Sequence, residues 1–334
     1  MRVLKILLVV IILVGFGLLF LSLKMRNFKR QQKNMIYGVS FNSEYAGYLG
    51  LDARKVFIKI LDEWNFRHVR LSAQWDLIEK TKGKYDWQDL DWQINTAKSR
   101  NAKIMLAVGQ KTPRWPECHN PKWFDEADQN ISRGNVDIEN FIKVVVERYK
   151  NNPALEIWQV ENEPFLQFGT CPKVSLADLR SEINLVKKLD PTRPIITSDS
   201  GELSSWRKTA NVTDLFGTTL YRVVWNKYVG YWSYDWLMPA FVYRAKLWFN
   251  NRDINTVYIT ELQAEPWIPN KSLMENSLTE QYKSMGLERL KKNLEFADKT
   301  GMPRAYLWGG EWWYWLESKG EKGIPDFIKD LKKE

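Results

Sequence analysis

The stretch WQVENEPF, residues 158–165, runs from apolar residues directly into two carboxylates, Glu161 and Glu163, set around Asn162. Ionised side chains are costly to bury without partners. Their place at the end of an apolar run implies a strand that opens onto a site. In barrels of parallel strands the chemistry gathers at the C-terminal strand ends, so the reading of this stretch turns on the sheet that the rest of the chain can build.

Working outward, eight short apolar runs punctuate the sequence: MIYGVSF (35–41), HVRLSA (68–73), KIMLAVG (103–109), EIWQVENE (156–163), PIITSDS (194–200), DLFGTTLY (214–221), TVYITEL (256–262) and RAYLWGG (304–310). Residues 53–64, 92–100, 138–150, 176–190, 240–250 and 284–300 carry apolar residues at helical spacing between them. This alternation predicts an α/β protein, a (β/α)8 TIM barrel over residues 35–334, in preference to a doubly wound sheet. No Gly-rich dinucleotide or phosphate loop follows the first run. Glu163 then closes the fourth strand, and Glu261, in VYITELQAEPW (257–267), closes the seventh. Those strands are not neighbours, so the two carboxylates can face each other across the barrel mouth. Glycoside hydrolysis needs such a pair: one carboxyl protonates the leaving oxygen, and the other attacks the sugar carbon or activates a water. Either glutamate alone could be an ordinary salt-bridge partner, and the pairing is what points to chemistry.

With NEP at residues 162–164, Glu261 in TEL, Arg70 in HVRLS and Trp308 in LWGG, the sequence resembles the retaining glycoside hydrolases of clan A, the family 5 cellulases and mannanases and relatives such as family 39. WDLIEKTKGKYDWQDLD (75–91) and TPRW (112–115) are similar to segments after strands two and three in those enzymes. The resemblance implies that Glu163 is the general acid/base and Glu261 the nucleophile of a double displacement. It further implies that Arg70 and Tyr221 hold Glu261, that Asn162 meets the sugar 2-hydroxyl, and that Trp308 floors the subsite beside the cleaved bond. Of the seventeen Trp, many lie in apparent loops. Trp115 and Trp267 are the further candidates for stacking on a β-linked poly- or oligosaccharide, while at least half of Trp75, Trp115, Trp225, Trp232, Trp267 and Trp312 are expected to be packing residues. Glu161 points to the same side of the strand as Glu163 but deeper and is read as a support behind the site or a partner in the barrel interior, a basic residue being one candidate for what it meets. No cofactor or metal is implied. The alternatives are a transglycosylase using the same residues and a membrane-anchored barrel that binds glycans without cleaving them.

The net charge of +9 does not indicate nucleic acid as a partner, because the first 34 residues hold seven Lys and Arg and no acid and leave the remainder nearly neutral. Ile6 to Leu23 is free of charge and, at about 1.5 Å per residue, crosses most of a bilayer core. Residues 1–24 are therefore expected to be a transmembrane signal anchor and 25–34 a basic linker, with a monomeric catalytic domain beyond. More basic residues follow the apolar run than precede it, which favours a cytoplasmic domain. Substrates outside the cell favour the opposite orientation, which is the one expected here. Cys118 and Cys171 both fall in loops on the same barrel face, where a disulfide is possible outside the cytoplasm. DWQDLDWQ (86–93) imitates a chitinase pattern but has Gln93 in place of its glutamate, and it reads as an acid-rich helix N-terminus.

Overall fold

The computed structural model describes residues 35–124, 136–171, 173–269 and 272–333, together with Gly17. The expected anchor and linker thus lie outside the described residues, apart from Gly17. Among the described residues no helix is long and apolar enough to cross a membrane.

Eight strands, β1 (Ile36–Ser40), β2 (His68–Ser72), β3 (Lys103–Val108), β4 (Leu155–Val160), β5 (Ile195–Asp199), β6 (Leu215–Leu220), β7 (Val257–Gln263) and β8 (Arg304–Trp308), pair in parallel with their chain neighbours. β1 also pairs with β8, from Ile36 opposite Arg304 to Val39 opposite Leu307, which closes the barrel. Period-two alternation sends Val69 and Leu71 of β2 outward into the main core and Arg70 inward. The lower interior is filled by a separate cluster of Met105, Ile157, Ile196 and Tyr306. Above it the lining turns polar, with Arg70, Gln159, Ser198 and Thr219 all buried.

Helices α1 (Ala53–Asp62), α2 (Gln88–Ser99), α3 (Val136–Tyr149), α4 (Leu176–Leu189), α5 (Ala240–Phe249) and α6 (Leu287–Thr300) cover the outside. Each carries an apolar face, such as Val56, Phe57, Ile60 and Leu61 of α1 or Phe141, Ile142, Val145 and Val146 of α3. α1 begins where the Asp52 side chain accepts the amides of Arg54 and Lys55, and α4 begins at a reciprocal Ser175–Asp178 cap. Two of the Trp-bearing stretches that look like loops in the sequence, 223–236 and 309–315, contain regular structure. Residues of the run after Trp308 form α7 (Gly310–Ser318), followed by α8 (Gly323–Asp330), and Val223–Asn226 pairs antiparallel with Gly230–Ser233 as a hairpin above β6. Trp312, Trp313 and Trp315 of α7 are buried, so that Trp-rich run is core rather than sugar platform.

Candidate active site

Residues 161–163 lie just past β4, and the chain turns there through positive φ at Glu161 (58°) and Glu163 (44°). Such angles are uncommon for residues with a side chain, and they mark a turn shaped for function. The twist separates the two glutamates. Glu161 is not a partner for a basic side chain: its carboxylate accepts the backbone amides of Gln110 (2.6 Å) and Lys111 (2.8 Å) and lies beside the buried carboxyl of Glu182 on α4. Gly109 is required for this, since a Cβ there would meet Glu161 Oε1 at 2.1 Å and its φ is +128°. Burial and the Glu161 charge push Glu182 well above the usual carboxyl range, and burial raises Glu161 to about 7. Both carboxyls of this pair therefore favour their protonated forms beneath the mouth.

Glu261 is aimed by a bulge. Ile259 and Leu262 both pack in the outer core, which a strict two-residue alternation forbids. β6 pairs Thr218 with Ile259 and Thr219 with Glu261, so β7 carries an extra residue at Thr260. Bulges re-aim side chains in this way beside active sites. Glu261 Oε1 accepts from Arg70 Nη1 at 2.9 Å, and Oε2 accepts from the Tyr221 hydroxyl at 2.9 Å. Burial and the charge of Glu261 drive Tyr221 far above its ordinary value, so it stays a donor. Arg70 Nε binds Gln159 Oε1 (2.7 Å), its Nη1 also reaches the Thr260 carbonyl (3.2 Å), and its Nη2 binds Asn162 Oδ1 (2.8 Å). That oxygen also accepts from Ser198 Oγ at 2.8 Å, so the Asn162 amide is fixed in one orientation.

Glu163 is buried, its backbone amide donates to Ser198 Oγ (3.0 Å), and its Oε1 accepts from Thr219 Oγ1 (3.2 Å). Burial first, and then the charges of Glu261 and Glu117, raise it well above the ordinary carboxyl range. One carboxylate with two strong donors and one carboxyl held neutral make an unequal pair, able to supply a nucleophile and a proton at the same pH.

Three buried residues were missed from sequence. Lys111 donates from Nζ to the carbonyls of Glu163 (3.0 Å) and Leu166 (2.9 Å), and so clamps the turn that carries Glu163. Arg114 makes a bidentate pair with Glu265, reaches Glu311 at 3.0 Å, and lies between the rings of Tyr45 and Trp308. One face of Trp308 is thereby occupied, with the guanidinium carbon 4.1 Å from the ring centre, which leaves only the opposite face for a sugar. Glu117 is a third carboxylate in the mouth, 3.3 Å from Asn162 Nδ2. The signal for all three was their place in GQKTPRWPEC, directly after the third strand.

The other aromatic candidates form a line. Tyr221 meets Trp267 edge-on at 5.3 Å, Trp267 meets Phe168 at 5.8 Å, and Phe168 meets Trp115 at 6.0 Å. Trp115 is 66% exposed, whereas Trp75 and Trp312 are fully buried. The loops that carry Trp115 and Phe168, after β3 and β4, are joined by the Cys118–Cys171 disulfide.

Residues 50–180, from just before α1 into α4, match the sequence pattern of Glycosyl hydrolase family 10. The chain is similar to the retaining glycoside hydrolases of clan A. Beta-galactosidase bgaB of Geobacillus kaustophilus is 29% identical over 112 residues, taking in 29% of this chain and 17% of that protein. Probable mannan endo-1,4-beta-mannosidase F of Aspergillus flavus is 23% identical over 221 residues, 54% of this chain and 46% of that one. Among solved structures, xylanase 10B of Thermotoga petrophila in complex with xylobiose shares 16% identity with a TM-score of 0.54, over 86% of this chain and 84% of that one. The matches span less than half the length of these curated relatives. The likeness to the xylanase is one of fold. The clan A resemblance thus joins a sequence match from α1 to α4 with a barrel shared throughout.

Proposed function

We propose that this chain is a retaining β-glycoside hydrolase that cleaves a β-linked poly- or oligosaccharide by double displacement. The observation that carries this reading is the contrast at the mouth: Glu261 is held by Arg70 and Tyr221, while Glu163 is buried and favours its proton. In the first step Glu261 attacks the anomeric carbon as Glu163 protonates the departing oxygen. In the second, Glu163 takes a proton from water, which displaces Glu261 from the sugar. Asn162 meets the 2-hydroxyl, and Trp267 and Trp115 offer stacking surface beyond Tyr221. The mannan, xylan and β-galactosides named for its relatives are the substrates to try. The anchored, extracytoplasmic setting belongs to the same reading, and the Cys118–Cys171 disulfide supports it, since such bonds persist in oxidising compartments.

The test is to incubate the protein with these glycans and with aryl β-glycosides, count new reducing ends, and follow the anomeric configuration of the first product by NMR. Release of the β-anomer, lost by about 10⁴-fold or more in Glu261→Ala, is the expected result. Cleavage that survives in Glu261→Ala, or a first product with inverted configuration, would overturn the mechanism.

A further inference from the structure

Glu117 is not used by the two-carboxylate reaction, yet the loop that carries it is built around it. It takes a left-handed backbone, φ +75°, held by its amide on the Arg114 carbonyl (2.7 Å) and its carbonyl on the Thr112 amide (2.9 Å). Cys118 beside it is bonded to Cys171, and the Thr170 amide donates to the Pro116 carbonyl at 3.1 Å. Gly169, with φ +78°, packs so close that a Cβ there would come within 2.7 Å of the Glu117 Cβ. These contacts hold a buried carboxylate beside Asn162, at the edge of the Glu163 and Glu261 pair.

The hydrogen bonds on Asn162 narrow what Glu117 can do. Asn162 Oδ1 is taken by Arg70, Ser198 and Gln159. Its Nδ2 has two hydrogens. One reaches Glu117 Oε2, and the other has no acceptor among the described residues. Glu117 Oε1 likewise has no donor among them. A free donor and a free acceptor thus stand side by side, complementary to a hydroxyl group, which accepts and donates at once.

We infer that Glu117 is a specificity-determining residue, its carboxylate accepting the hydrogen of the same sugar hydroxyl onto which Asn162 Nδ2 donates. On the hydrolase reading above, on which this inference rests, that hydroxyl is the one at C2 of the sugar being cleaved. The clamp selects substrates with a hydrogen-bond donor at that carbon and disfavours those without one. Burial and the nearby Glu261 charge raise Glu117 to about 8, so the empty site favours its proton, and a bound hydroxyl donor replaces solvation lost on burial and draws the group back to the carboxylate form that accepts.

The experiment compares kcat/KM for an aryl β-glycoside and its 2-deoxy analogue in the wild type, Glu117→Ala and Glu117→Gln. A site built to bond a hydroxyl discriminates strongly against its loss. The wild type is expected to prefer the hydroxylated substrate by on the order of 10³-fold. In Glu117→Ala that ratio should fall by about 100-fold, through the hydroxylated substrate alone. Glu117→Gln retains an acceptor oxygen and should fall part-way, by roughly tenfold, which provides the readout if the alanine protein does not fold. Equal losses on both substrates, with the ratio unchanged, would reduce Glu117 to a support for Asn162 and overturn the inference while leaving the hydrolase reading intact. If the wild type cleaves no β-glycoside at all, both fall together.

Discussion

Glu163 and Glu261 share one side chain and differ through their surroundings. Two donors, one of them a guanidinium, stabilise the charge of Glu261, whereas Glu163 faces two other carboxylates and a hydroxyl. Replacing Glu163 by Ala should therefore cut kcat by roughly 10²- to 10⁴-fold on a substrate whose leaving group needs a proton. With a dinitrophenyl leaving group, which departs unaided, the first step should be nearly unaffected and the loss confined to the second. The wild type should lose activity as pH rises through the raised Glu163 value, and Glu163→Ala should lack that limb. A pH–rate profile for both proteins on both substrates checks the assignment. The pair was legible in sequence because it needs only strand ends and polarity. Glu117 was not, because no periodicity records which loop residue turns inward.

At the scale of elements, the loops after β3 and β4 act as one unit. Glu161 binds amides of the first loop, Lys111 binds carbonyls of the second, and the disulfide closes them across a sequence separation of 53. Cys118→Ser with Cys171→Ser should lower stability by about 2–4 kcal/mol, read as a fall in Tm that the wild type reproduces when reduced. Activity should fall with it, since Glu117 adjoins one end of the bridge. The raised Glu161 and Glu182 carboxyls predict a pH effect of definite sign. Both groups bind protons more tightly folded than unfolded, so their stabilisation is complete below the ordinary value of 4.5 and is lost as pH rises through the folded values, about 7 for Glu161. Glu182→Gln supplies a fixed donor. Its stability should fall less than the wild type's as pH rises from about 4.5 to about 7, measured by denaturation across that range. The bulge in β7 and the positive-φ turn after β4 were hidden in the sequence. Both are departures from period two, and their cause is pairing with strands far away in the chain.

At the scale of the molecule, all eight strands and six of the helices could be read in advance, since each strand is a short run buried on both faces and each helix buries one face and so repeats its apolar residues at its own period. The helical packing of the run after Trp308 could not, because a stretch that is aromatic on every side has no contrast to read. The anchor predicted for residues 1–24 is an expectation about the chain ahead of the barrel. The closure of β1 on β8 bears on what such an attachment does. The Ile36 amide bonds to the Pro303 carbonyl and the Tyr37 amide to that of Lys333, so the start of the first strand and the residues after the last helix meet beneath the barrel, on the side away from Glu163 and Glu261. A tether, an affinity label or an immobilising bead joined where these two stretches meet holds the barrel by its base and leaves the opening clear.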